Sequence, residues 1–420
     1  MINGWQTRYT MVGMCALATF ICYIDRVNIS VAIIPMAEEF GWDQGTRGLI
    51  LASFFLGYLL TQIAGGWLAD RYGGKLVLGV GVLFWSAFTI ITPPAAFAGL
   101  ALLLISRVGM GLGEAVTFPS IYSLFARWLP ITERTRAIGL NASAIPLGTV
   151  FALVLTPIIV LALGWEWVFY LFGAIGIVWY FFWRALASTE PKDHPRVTAQ
   201  ELQLIEAGQS NADESRPPRI RAMLGSTAVW AIIVSHFCSN WGGYVLLSWL
   251  PTYFTEGLGV DFAAVGIATM IPAMMAFLFL NVAGWTTDKL ISAHPGRVTL
   301  IRKLMQTIGF GGGAIVLAVV GYVESIPLAI ALMSVGNIAG AFALGGWGSN
   351  HMDIAPKHAG TLMGLTNTAG TIPGIIGVYV SGLILQWTDS WTLVFQVAAG
   401  INLFGLLFYL VFARTEVEFE

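Results

Sequence analysis

Twelve times along this chain a run of roughly twenty predominantly apolar residues is broken by a polar stretch, and a helix of that length crosses the ~30 Å hydrocarbon core of a bilayer. In lipid every backbone N–H and C=O must be paired inside the protein, so such segments fold as helices packed on helices. The runs lie near 10–37, 47–69, 75–92, 97–126, 137–161 and 166–187, then near 228–254, 262–286, 300–321, 326–350, 360–385 and 391–413. The fold class predicted is an all-α membrane protein, with twelve transmembrane helices in two pseudo-symmetric six-helix bundles. Of 420 residues, 57% are hydrophobic and only 10% charged, against about 25% charged in soluble domains. The net charge of −2 says little about partners.

Placement of charge says more. All but three of the 21 Lys and Arg residues fall in the segments that would be cytoplasmic with the N-terminus inside. The exceptions are Arg47 in an external loop and Arg26 and Arg107 within spans. By the positive-inside rule both termini are expected in the cytoplasm, and a multi-pass inner (plasma) membrane protein is expected.

Between the sixth and seventh spans, residues 188–224 are rich in Pro, Ser and charge (Glu190-Pro191-Lys192-Asp193, later Arg216-Pro217-Pro218-Arg219). They read as a linker joining an N-terminal bundle, 1–187, to a C-terminal one, 225–420. Thr198-Ala199-Gln200-Glu201 is a capping-box pattern that should start a short helix there. The halves also repeat. Gly66-Trp67-Leu68-Ala69-Asp70-Arg71 recurs as Gly284-Trp285-Thr286-Thr287-Asp288-Lys289 at an offset of 218, and Asn141 recurs as Asn367 at 226. Two parallel repeats of six spans are one way to build alternating access around a midplane site.

Charges inside spans single out the candidate site. Each costs about 2.5–3.5 kcal/mol at the bilayer centre on insertion scales. The first span holds Asp25 and Arg26; the fourth holds Arg107 and Glu114, two helical turns apart on one face. Adjacent residues diverge by about 100° around a helix, so Arg26 is expected to face a cavity with Cys22 and Ser30 while Asp25 turns to a neighbouring helix. A guanidinium binds two carboxylate or phosphate oxygens at once and stays charged. Buried carboxylates can take up protons near neutral pH. The expected scheme has Asp25 and Glu114 neutralising the two arginines when ionised and releasing them to an anion when protonated. Weaker candidates are His236 and Asn240, four apart on one helix face, expected to bond to another helix in preference to lining the cavity, and His351 and Asp353 as a latch or loop anchor. Cys15, Cys22 and Cys238 fit no metal pattern, and no P-loop or nucleophile–base set is present. Neither cofactor, metal, nucleic acid nor enzymatic activity is expected.

Gly66-Trp67-Leu68-Ala69-Asp70-Arg71-Tyr72-Gly73-Gly74-Lys75 resembles the signature loop of the major facilitator superfamily, in which Asp70 and Arg71 would form a conformational latch. Tyr23-Ile24-Asp25-Arg26-Val27-Asn28-Ile29-Ser30, Phe54-Phe55-Leu56-Gly57-Tyr58, Arg107-Val108-Gly109-Met110-Gly111-Leu112-Gly113-Glu114 and Asn350-His351-Met352-Asp353 together resemble its anion:cation symporter family. That family includes bacterial sugar-acid, animal sialic-acid and vesicular glutamate transporters. The resemblance implies substrate contacts at Arg26, Arg107 and Tyr58 and proton coupling at Asp25 and Glu114. Trp347 and Asn367 are expected to supply the C-terminal half's share by stacking and hydrogen bonding. The span-7 arginine of some vesicular members is missing near Phe237-Cys238-Ser239-Asn240. The function expected is proton-coupled symport of a small organic anion, such as a sugar acid, by a monomer in the bilayer. Anion exchange, electrogenic uniport (inorganic phosphate included) and ligand sensing without transport are the alternatives.

Overall fold

The computed structural model of the protein describes residues 6–207, 220–356 and 358–419. Twelve long helices follow one another: α1 Thr7–Phe40, α2 Gln44–Tyr72, α3 Gly74–Ala98, α4 Leu100–Trp128, α5 Ile131–Leu163, α6 Glu166–Leu186, α7 Thr227–Thr252, α8 Phe262–Ala293, α9 Pro295–Val320, α10 Ile326–Ile354, α11 Ala359–Thr388 and α12 Trp391–Phe412. Among the described residues there is no strand. Ten of these helices carry a stretch long and apolar enough to cross a membrane. The other two, α2 and α7, have 29 and 26 residues and complete the set. Most helices outrun the apolar runs that announce them, because polar caps extend them past the hydrocarbon. Ser226, for example, starts α7 by accepting from the amides of Ala228 and Val229, as an N-cap should.

Contacts divide the chain into two compact units: Met1–Ala32 with Ser53–Glu214, and Ile33–Ala52 with Ser215–Glu420. In the first unit α3 packs against both α4 and α6. The approach of α2 to α4 is set by two glycines. A Cβ on Gly57 would fall 2.0 Å from the Val108 carbonyl oxygen, and one on Gly111 would fall 2.1 Å from that of Phe54. Only glycine lets two helix backbones come this close. On the other face of α4, Gly109 abuts the Phe88 ring and Gly113 the backbone of Trp85.

The start of α1 lacks an acidic residue of its own. Glu201, from the linker helix Ala199–Ala207, supplies one: its carboxylate accepts from the amides of Thr7 (3.3 Å) and Arg8 (2.9 Å). A carboxylate suits the positive end of a helix dipole. Thr198 caps the linker helix through the Glu201 amide, as the capping box predicts, but the Glu201 side chain is spent on α1 instead of on its own helix. The buried Arg8 side chain also meets Glu133 at the start of α5 with two bonds, Nε–Oε2 2.8 Å and Nη2–Oε1 2.9 Å. Hydrogen bonding from Arg8 holds the Glu133 carboxyl below its ordinary range. Arg216-Pro217-Pro218-Arg219 lie outside the described residues.

In the second unit α7 packs along α11 and α12, α8 against α10, and α9 between α10 and α12. Residues 33–52, the adjoining ends of α1 and α2, belong to this unit. There Arg47 pairs with Glu256, Gln44 Nε2 donates to Glu256 (2.8 Å), and Gln386 Nε2 donates to Asp43 (2.9 Å). Wide π turns interrupt α9 at Thr307–Gly311 and α10 at Leu344–Gly348. The loosened Gly345 carbonyl in α10 accepts from Arg302 (2.8 Å), whose guanidinium also holds Asp353 (2.8 and 3.1 Å). Asp353 is therefore a helix-end anchor. The repeated Gly-Trp motif makes the same contact twice, Arg71 over Trp67 at 5.1 Å and Lys289 over Trp285 at 4.9 Å.

Two outcomes follow for stability in detergent. Gly111→Ala is expected to cost about 1–3 kcal/mol, the range for overpacking, read as a lower melting temperature. Gly13→Ala, with nothing within 4 Å of its Cβ, serves as a neutral control. For the Arg8–Glu133 contact, the native carboxyl titrates lower than the unfolded one. Its stabilisation is therefore complete above the unfolded pKa of about 4.3 and lost as pH falls through the native value. Melting of wild type and Glu133→Gln should differ at neutral pH, and the gap should shrink below about pH 4.3.

Candidate anion site

The four charges within spans gather in the first unit, and burial there is nearly complete. Asp25 and Glu114 have no exposed surface, and Arg107 keeps 1%. Arg26 projects from α1 onto Glu114 of α4, donating to Oε2 through Nε (3.0 Å) and Nη2 (2.8 Å). The Cys22 thiol donates to the same oxygen at 3.2 Å. The other oxygen, Oε1, is buried without a partner. The Arg26 guanidinium also lies against three rings, Tyr23 (4.7 Å), Tyr58 (4.8 Å) and Phe54 (5.0 Å). Aromatic faces attract a cation and do not neutralise it. Cys22 joins Arg26 as expected, and the Ser30 hydroxyl bonds to the Val27 carbonyl of its own helix.

Asp25 does turn to a neighbouring helix. It accepts from the Trp85 indole N–H of α3 at 3.1 Å, and its Oδ1 has no partner. It makes no ion pair among the described residues, which corrects the expectation that two carboxylates neutralise two arginines. Only Glu114 forms a direct ion pair, with Arg26, while Asp25 and Glu114 reach Arg107 through their fields alone. Arg107 is left with the Met110 sulfur at 2.9 Å and the Phe54 ring at 5.7 Å, while its Nε is buried and unpartnered. An uncompensated buried charge is costly. Arg107 is thus a buried guanidinium with no direct ion pair, sharing the Phe54 ring with Arg26.

The remaining candidates separate. Trp347 and Asn367 lie in the second unit. The π turn of α10 carries Trp347, whose ring lies 4.4 Å from that of His236 and whose indole N–H is buried without a partner. Asn367 is half-buried on α11, its carbonyl accepting from Thr371. Arg71 lies against Trp67 and Tyr72, and the side chain of Asp70 lies outside the described residues. His236 and Asn240 do bond to another helix, reaching Thr366 (3.2 Å) and the Gly370 carbonyl (2.7 Å) of α11. Residue patterns miss Trp85 and Phe54, because inside an apolar run an aromatic side chain that serves a charge is indistinguishable from packing. Among the described residues no group of three or more His, Cys, Asp or Glu is placed to hold a metal.

A sequence profile described as the Major Facilitator Superfamily matches residues 15–378. The chain belongs to that superfamily. It is 41% identical to an ascorbate transporter of the chloroplast of Arabidopsis thaliana over 98% of this chain and 76% of that one. It is also 41% identical to sodium-dependent phosphate transport protein 1 of the same organelle and plant, over 97% and 80%. Identity to human sialin is 34% over 98% and 90%. Those relatives place it in the superfamily's anion:cation symporter family. Superposition on an inward-facing, occupied bacterial homologue of the lysosomal transporter Spinster gives a TM-score of 0.80 at 18% identity over 98% of both chains. A D-xylose–proton symporter gives 0.76 at 15% over 97% and 98%. At such identities these two structures establish the fold alone. With that fold and those relatives the chain is a multi-pass membrane transporter and not an enzyme.

Arg107 should tolerate lysine poorly, because an ammonium cannot present a planar fork to two oxygens. Anion-dependent thermal stabilisation measured on Arg107→Lys and Arg107→Met is expected to fall roughly 10–100-fold in apparent affinity, the equivalent of one or two charge-assisted hydrogen bonds.

Proposed function

We propose that this protein is a secondary active transporter that moves a small organic anion together with protons by alternating access, with residues 188–224 linking a 1–187 half to a 225–420 half. The observation that carries the reading is Arg107, a buried guanidinium with no carboxylate of its own among the described residues. A carboxylate-bearing substrate supplies the missing charge. The relatives support the anion class: one is named for ascorbate transport and one for phosphate transport. Ascorbate is a hydroxylated organic anion, which favours a sugar acid or a similar hydroxylated acid. The phosphate relative keeps inorganic phosphate as a second reading, since a fork of N–H donors serves a phosphate equally well.

Coupling runs through Glu114. When it is ionised, Arg26 is held on Oε2 and only Arg107 is available. A proton added at the unpartnered Oε1 discharges the carboxylate and releases Arg26, so two guanidinium groups face the anion. Proton and substrate then bind together and cross together. Asp25, on its Trp85 hydrogen bond, is a second proton acceptor of the same unit. Tyr58, Trp347 and Asn367 serve as substrate contacts, and Asp70 with Arg71 as a latch. An inner (plasma) membrane location is proposed, the distribution of Lys and Arg favours cytoplasmic termini there, and a single copy suffices for transport.

Reconstitution into liposomes tests the scheme. A labelled sugar acid, a monocarboxylate, phosphate and an aromatic acid are offered with an inward proton gradient, with an inward sodium gradient, or with neither. Accumulation of one organic acid driven by the proton gradient is expected. Glu114→Gln should abolish gradient-driven accumulation while sparing exchange of substrate for substrate. Flux that ignores the gradient indicates exchange or uniport, flux that follows sodium indicates a different coupling ion, and binding without flux indicates a sensor.

A further inference from the structure

A groove runs down the outer side of the first unit, and a cation stands at its mouth. Leu76, Val80 and Phe84 of α3 form one wall. They are four residues apart, so they lie on successive turns of one helix face, about 6 Å from each other along the axis. Their exposures are 56%, 52% and 42%, although α3 is packed elsewhere against α4 and α6. The floor is the contact of α3 with α4. A Cβ on Gly81 would fall 2.5 Å from a Val116 methyl and 3.1 Å from the Gly113 carbonyl oxygen, so a bare backbone closes the floor. Of the residues lining this groove of ≈ 250 Å³, Tyr72 at its mouth alone has a polar side chain.

Tyr72 joins the groove to a charge. Its ring lies edge-on to Trp67 at 6.2 Å and 5.6 Å from the Arg71 guanidinium, which also lies 5.1 Å from the Trp67 ring. Arg71 is exposed and has no ion pair among the described residues. The rings attract the guanidinium and leave its charge in place. Lys75 adds a second cation in the first turn of α3, which holds no acid. Counting Asp70, the junction of α2 and α3 carries two cations against one acid. Trp and Tyr at the end of a transmembrane helix mark the headgroup level. From Leu76 to Phe84 the groove then runs about 12 Å along the axis, close to the depth of one leaflet of a ~30 Å hydrocarbon core.

We propose that this groove binds an anionic phospholipid, with the phosphate on Arg71 and one acyl chain along Leu76, Val80 and Phe84. An apolar groove alone takes any lipid. The unpaired guanidinium at its mouth selects a negative headgroup, as basic pockets between transmembrane helices do. A zwitterionic headgroup brings its own cation and gains less. The second unit holds a partial copy, Lys289 on Trp285 at 4.9 Å, with Leu290 where the first unit has Tyr72. That copy lacks the ring that ties charge to groove, and it is the internal comparison.

Native mass spectrometry of the full chain, released from micelles with equal amounts of phosphatidylglycerol and phosphatidylcholine, reads the preference. The wild type is expected to retain phosphatidylglycerol about fivefold over phosphatidylcholine, the effect of one basic residue near an anionic headgroup. Arg71→Gln, an exposed change, should remove the preference, and Lys289→Gln should keep it. Val80→Trp fills the groove from an exposed position and should lower phosphatidylglycerol retention with Arg71 still in place. Glycerol phosphate at the same concentration should not displace the lipid. Equal retention of both lipids by the wild type means ordinary annular lipid and overturns the proposal. So does an unchanged preference in Arg71→Gln, an equal loss in Lys289→Gln or unchanged retention in Val80→Trp. Displacement by glycerol phosphate overturns it too, by marking a site for a free anion.

Discussion

Everything in the first unit is arranged around charge that cannot reach water. Four ionisable groups sit within helices that cross a membrane, and only one pair of them, Arg26 and Glu114, meets directly. A buried pair of this kind adds little stability by itself, yet removing either partner strands the other. The second pair, Asp25 and Arg107, forms no direct ion pair, and the hydrogen-bond partner of each is neutral: an indole N–H for the acid and a thioether for the base. In the proposed scheme this asymmetry lets a cluster of zero formal charge accept a proton at one place and an anion at another.

Tight packing maintains the separation. The reciprocal glycine contacts between α2 and α4 bring the Phe54 ring to within cation–π range of both arginines. Slack of one methyl group there would move the ring and loosen the cage around Arg26. The second unit uses another means to aim its side chains. Its π turns in α9 and α10 shift the helical register locally, freeing a carbonyl for Arg302 and carrying Trp347 onto His236. Wide turns of this kind recur at functional sites.

The helices were legible in the sequence because a bilayer imposes a length and an apolar composition on each. The identities of the charged residues were legible too, since an ion inside such a run has no neutral explanation. Their pairing was not. Asp25 and Glu114 are both acids in apolar helices, and nothing in residue order says that one meets a guanidinium and the other an indole. The π turns leave no periodic signal, and neither does the grouping of residues 33–52 with the second unit, which depends on contacts more than 200 residues away in sequence, such as Gln44 with Glu256. Thr366 gave no warning at all, being one hydroxyl among many in α11.

The Glu201 carboxylate at the start of α1 has a consequence for how the chain is made. The first amides of the first helix find their acceptor 193 and 194 residues downstream. At ordinary synthesis rates of about 5–20 residues per second that is a delay of roughly 10–40 s. During this interval the leading end of α1 is uncapped, and of Arg8's two acidic partners Glu133 is made before Glu201. Arrival of the linker helix after α6 then caps α1 while α7–α12 have yet to enter the membrane.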